Sequence, residues 1–75
     1  MKLFYAETPN SRKAFAVAKH LDLPVTWAFT DLQKGAHKTP AFLAINPNGK
    51  VPVLQDGAFT LFESNAIMVY LAQQA

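Results

Sequence analysis

The sequence predicts an α/β fold: a mixed four-stranded sheet with helices on its faces. Three observations predict it. The first 29 residues read as strand, helix and strand, the pattern of a βαβ unit. Asp56-Gly57 stands between two short apolar runs and signals a hairpin. Two stretches, near residues 14–21 and 64–71, repeat apolar side chains at helical spacing. Strand and helix periods mixed in this way belong to the α/β layer class.

Each element follows in order. Residues 2–5 (Lys-Leu-Phe-Tyr) are the first strand, broken by the turn formers of Ala6-Glu7-Thr8-Pro9-Asn10-Ser11. Ala14, Val17, Ala18 and Leu21 then form a helical stripe at i, i+3, i+4 and i+7. Its cap is either Thr8, with Pro9 at the first helical position, or Asn10; the string allows both. The helix ends before Pro24, because the residue preceding a proline disfavours the helical region. Residues 25–29 are the second strand, parallel to the first through a right-handed crossover.

Residues 31–39 read as a polar loop, and 40–45 as a short helix opened by Pro40. Asn46-Pro47-Asn48-Gly49 stops it. Residues 50–55 are expected to be the third strand. Asp56-Gly57 is expected to form the two-residue loop of a hairpin, and 58–62 the antiparallel fourth strand. A last helix starts near Ser64, with Ile67, Tyr70 and Leu71 inward.

Composition narrows the function classes. The 75 residues make one domain, residues 1–75, and a chain this short buries only about 60% of the surface it exposes unfolded. Yet 51% of the residues are apolar, an excess that points to a face meeting another domain or subunit. The absence of cysteine excludes disulfides, thiolate metal sites and a cysteine nucleophile. His20 and His37 lack metal-ligand spacing, so no metal is expected. The net charge of +2 comes from scattered basic residues, which argues against nucleic acid and allows weak attraction of a small anion. No segment resembles a signal peptide or a membrane span, so a cytoplasmic protein is expected.

Three strings carry chemistry. Pro52 lies inside a strand-like run, where proline is excluded from central positions. It marks either a strand edge or start, or a cis Val51–Pro52 bond. The second reading leaves the backbone of Val51 free to pair with an extended peptide ligand. At Phe62-Glu63-Ser64 a strand passes into a helix whose N-terminus attracts a carboxylate. Ser64 adds a hydroxyl, and Glu63 is placed to hold an ammonium group. The alternative is an ordinary serine cap. In the first turn, donors among Thr8, Asn10 and Ser11 would lower the pKa of a bound thiol by bonding its thiolate. Helix capping is again the plainer reading.

Asn46-Pro47-Asn48-Gly49-Lys50-Val51-Pro52-Val53-Leu54, followed by Leu61-Phe62-Glu63-Ser64-Asn65-Ala66-Ile67 and Tyr70-Leu71, resembles the thioredoxin-like N-terminal domain of glutathione transferases. The resemblance runs over the whole chain. Gly35-Ala36-His37-Lys38 is similar to the corresponding loop of the phi and theta classes, and Thr8-Pro9-Asn10 to nu-type bacterial members.

The resemblance implies glutathione as co-substrate. Val51 would pair with its cysteinyl backbone beside a cis Pro52. Glu63 and Ser64 would hold the γ-glutamyl end, and His37 and Lys50 would lie near the glycyl carboxylate. Phi, theta and zeta members activate the thiol with a first-turn serine. Its counterpart here is Thr8, with Asn10 in support and Ser11 as the alternative. The thiolate would attack a small electrophile or a disulfide. The resemblance also implies a C-terminal helical domain absent from this chain, a homodimeric parent, and weak or undetectable turnover by residues 1–75 alone. The same fold serves elsewhere as a non-catalytic interaction scaffold, which is the competing expectation.

Overall fold

The computed structural model describes residues 1–74. β1 (Lys2–Tyr5) leads through a sharp turn into α1 (Pro9–His20) and back to β2 (Thr26–Phe29). A single 3₁₀ turn (Ala36–Lys38) lies within the segment read as loop, and α2 (Pro40–Ile45) follows it. β3 (Val53–Asp56) and β4 (Phe59–Phe62) form a hairpin, and α3 (Ser64–Gln73) closes the described chain. The strands stand in the order β2-β1-β3-β4. β1 and β2 are parallel, with Leu3 opposite Trp27, while β3 is antiparallel to both β1 and β4.

Alternation along β1 divides the sheet into two faces. Leu3 points into a core with Ala14 and Ala18 of α1, Leu54 of β3, and Ile67 and Leu71 of α3. Phe4 points the other way and meets Phe42 of α2 edge-on, with ring centroids 5.8 Å apart. α1 and α3 therefore share one face and the short α2 covers the other. The alanines of α1 let that helix lie close to the sheet and to α3. Tyr5 continues the α1 side as an aromatic cluster with Phe15, Trp27 and Phe29, not as a fully buried core residue.

Three local features settle what the sequence left open or placed elsewhere. Thr8 is the cap of α1: it is extended (φ −123°, ψ 155°) and its hydroxyl accepts the Ser11 N–H. The third strand begins at Val53, not at residue 50. Pro52 has no N–H to offer the ladder, and residues 46–50 are engaged in a turn of their own. The hairpin loop is Gly57-Ala58, one residue later than expected. Asp56 pairs with Phe59 inside the ladder, and Gly57 alone supplies the positive φ (60°), the signature of a type II′ turn.

Candidate ligand-binding cleft

A cleft of ≈ 370 Å³ opens where the turn before β3, the start of α3 and the first turn of α1 converge. One wall is the segment Lys50, Val51 and Pro52. The Val51–Pro52 bond is cis, and Pro52 is buried directly ahead of β3, a central strand. Val51 lies outside the ladder. Neither its N–H nor its C=O finds a hydrogen-bond partner among the described residues. A backbone with both groups free at the cleft can pair with the main chain of a bound peptide.

The second wall is the start of α3. Glu63 is the N-cap, with φ 82° and ψ 112° and no side-chain cap bond. A non-glycine residue at that φ is strained, at a cost on the order of 1–3 kcal/mol. The conformation turns the chain abruptly from β4 into α3 and places Ser64 at the first helical position, only 7% exposed. The first-turn N–H groups of α3 have no partners within the helix and concentrate positive potential at the cleft. Glu63 itself is exposed at the rim. The cleft thus offers a helix tip for an anion, a carboxylate for a cation, and the Lys50 ammonium at its other end.

The third contributor is Asn10, exposed in the first turn of α1. Its neighbours in sequence point elsewhere. The Thr8 hydroxyl accepts the Ser11 N–H (3.2 Å) and is not part of the cleft lining. Ser11 is fully buried, and its Oγ accepts the Ala6 N–H (3.3 Å) in the corner between β1 and α1. His37 also stands outside the lining. It occupies the 3₁₀ turn, where its Nδ1 is buried with no hydrogen-bond partner among the described residues.

The matching family description is "Glutathione S-transferase, N-terminal domain", and its model covers residues 8–74. The chain belongs to the glutathione S-transferase family. It is 42% identical over 73 residues to glutathione S-transferase 2 of Schizosaccharomyces pombe, covering 93% of this chain and 32% of that protein. It is 47% identical over 62 residues to human glutathione S-transferase theta-2, covering 83% of this chain and 25% of that one. Among solved structures, human glutathione transferase theta-2 in complex with glutathione superposes with a TM-score of 0.94 at 42% identity, covering 97% of this chain and 30% of that chain. The chain spans a quarter to a third of the length of these curated relatives.

In this transferase domain the fold brings together Asn10, Lys50, Val51, Pro52, Glu63 and Ser64, and leaves Thr8, Ser11 and His37 off the cleft surface. It adds residues that sequence reasoning did not single out for the site: Asn46, Asn48 and Phe62. Asn46 and Asn48 stood in plain view in the Asn-Pro-Asn-Gly string. Turn-forming propensity accounts for them locally, and that masked their place at the cleft.

Proposed function

We propose that residues 1–75 form the glutathione-binding domain of a glutathione transferase and hold the tripeptide in this cleft. The observation that carries the reading is the free backbone of Val51 facing the helix tip at Glu63 and Ser64. A peptide laid along Val51 gains main-chain hydrogen bonds. Its α-carboxylate reaches the Ser64 hydroxyl and the N–H groups of α3, and its ammonium reaches the Glu63 carboxylate. Lys50 serves the glycyl carboxylate at the far end, with His37 behind it. Asn10 supplies a donor to the thiol from the cleft surface; the Thr8 hydroxyl, which accepts the Ser11 N–H but keeps its own proton, supplies a second where the tripeptide extends past the cleft to the cap, and Ser11 supports the turn from within.

A thiol of this kind has an ordinary pKa of about 8.5. Donors that bond the thiolate lower it, which raises the fraction of nucleophile at neutral pH. The thiolate then attacks an electrophile, its sulfur forming the new bond as the leaving group departs with the electron pair. The exposed Phe29 (59%) and Val69 (59%) support faces that meet a following helical domain and a second subunit.

Calorimetric titration of the intact protein with glutathione tests the reading and separates it from a non-catalytic scaffold. Saturable binding is expected, weakened about tenfold or more by Glu63→Ala or Ser64→Ala. Absence of saturable binding would remove the transferase assignment and favour the scaffold. Among bound complexes, Asn10→Ala and Thr8→Ala should each raise the pH at which the thiolate's ultraviolet absorbance appears, because a donor to the charged form is lost.

A further inference from the structure

Asn46 is the most completely buried polar residue lining the cleft, 1% exposed, and its side-chain amide and backbone carbonyl are engaged with the turn that carries the cleft wall. Its Nδ2 donates to the Lys50 carbonyl (2.9 Å). Its Oδ1 accepts the Asn48 N–H (3.1 Å). Its backbone carbonyl accepts the Gly49 N–H, and its own N–H donates to the Phe42 carbonyl at the end of α2 (both 2.9 Å). The residue therefore ties the end of α2, through its backbone N–H, to the peptide unit immediately before Val51, through its side chain.

We infer that Asn46 is a positioning residue for glutathione: its carboxamide sets where the Val51 backbone stands. The physical reason is the gap in the ladder. β3 pairing begins at Val53, so nothing in the sheet fixes residues 50 and 51. The Lys50 carbonyl belongs to the same peptide unit as the Val51 N–H, so a donor that grips this carbonyl orients that N–H as well. Gly49 lets the turn close. It takes φ +63°, and a Cβ there would stand 2.9 Å from Lys38 Nζ and 3.2 Å from the His37 carbonyl oxygen. The turn is thereby pressed against the 3₁₀ segment on one side and gripped by Asn46 on the other. At 1% exposure the Asn46 side chain has almost no surface for a ligand, and it acts through Lys50 and Val51.

The inference takes its ligand from the proposed function, but its structural half can be read without any ligand. The decisive variant is Asn46→Asp. It keeps the size and the acceptor for the Asn48 N–H, and sets a repelling oxygen in place of the donor to Lys50. In the intact protein, amide hydrogen exchange at Gly49, whose N–H bonds the Asn46 carbonyl, should accelerate about tenfold, and the NMR order parameter of the unbonded Val51 N–H should fall, while the amides of β1 and α3 hold their rates. The glutathione Kd and KM should rise about tenfold, with kcat at saturating glutathione changed less than about twofold. Val17→Ala, which trims a side chain packed against the core from α1, serves as a control for destabilisation away from the turn and should leave both the Val51 order parameter and the Kd in place. Should Asn46→Asp not fold, Asn46→Ser removes the same donor without adding a charge. An unchanged Val51 order parameter in a folded variant overturns the inference whether or not glutathione binds. A lower order parameter with an unaltered Kd overturns its link to the ligand. A wild-type protein that fails to bind glutathione sinks the proposed function alone, and the order parameter still decides the role of Asn46 in the turn.

Discussion

On the α1–α3 face of the sheet, Leu3, Ala14, Ala18, Leu54, Ile67 and Leu71 meet with exposures of 1% or less. At the cleft, by contrast, six polar residues (Asn10, Asn46, Asn48, Lys50, Glu63 and Ser64) line the wall beside Val51, Pro52 and Phe62, around an irregular backbone. The first region is regular structure joined by apolar contact. The second is a turn, a buried proline and a strained helix cap, with main-chain groups left free. Hydrophobic burial is non-directional and rewards any close packing. Recognition of a charged peptide needs oriented donors and acceptors that the fold has not already used. The two regions share α3, whose Ile67 and Leu71 anchor the helix in the core while its N-terminus is offered to the cleft. Stability and binding should therefore be separable along a single helix.

The strongest attempt to break this division is Ile67→Ala. Removing a buried side chain at 0% exposure should lower unfolding free energy by about 2–5 kcal/mol in a denaturant titration. Domains of this kind hold only about 5–15 kcal/mol in total. Variant molecules that remain folded should still bind glutathione within about threefold of wild type. A large loss of affinity in the folded fraction would show that the core and the cleft are one cooperative unit.

Glu63→Gly sharpens the contrast from the other side. Glycine accepts φ 82° without strain, though it adds freedom to the unfolded chain. Unfolding free energy should hold or rise by up to about 1 kcal/mol. Glutathione affinity should fall by about tenfold, because the carboxylate is gone. A variant that loses stability as well as affinity would mean that the Glu63 side chain supports the fold.

The smallest effect concerns the far end of α3. The Tyr70 hydroxyl donates to Asp56 at the end of β3, and the Tyr70 ring stacks on Phe59 with centroids 5.4 Å apart. The hydrogen bond to Asp56, then desolvation, then the Asp56 charge hold the Tyr70 pKa above its ordinary 10.0. The protonated phenol is the form the fold favours. Its contribution is thus complete below pH 10 and is lost as pH rises through the elevated value. Thermal unfolding followed from pH 8 to pH 12 should show an alkaline decline that is shallower in Tyr70→Phe. Equal slopes in the two proteins would count against the bond as a tie between hairpin and helix. Glutathione affinity at neutral pH should be the same in both.

The elements of the sheet and the two long helices were legible because each rests on local periodicity. Ala14, Ala18, Ile67 and Leu71 fell where helical spacing put them. The boundaries near the site were not. β3 begins late because Pro52 and the Asn46 turn take residues 50–52 out of the ladder, and a run of apolar letters does not report that. Ser64 was read as a possible cap, whereas the cap is Glu63 in a strained conformation that no propensity favours. In the first turn, the sequence left Thr8, Asn10 and Ser11 as alternatives. They separate only by where the helix phase sends each side chain: Thr8 to the cap, Ser11 to the interior and Asn10 to the cleft.

By itself, the sequence determined the fold class, the order of its elements and the family, because these follow from periodicities and motif strings carried by neighbouring residues. Tertiary structure alone decided which polar groups remain free and which are spent on the fold. A hydrogen bond such as that from Asn46 to Lys50 depends on where a turn closes in space. So does the free backbone of Val51, since an unpaired group is defined only by everything that has failed to come within reach of it.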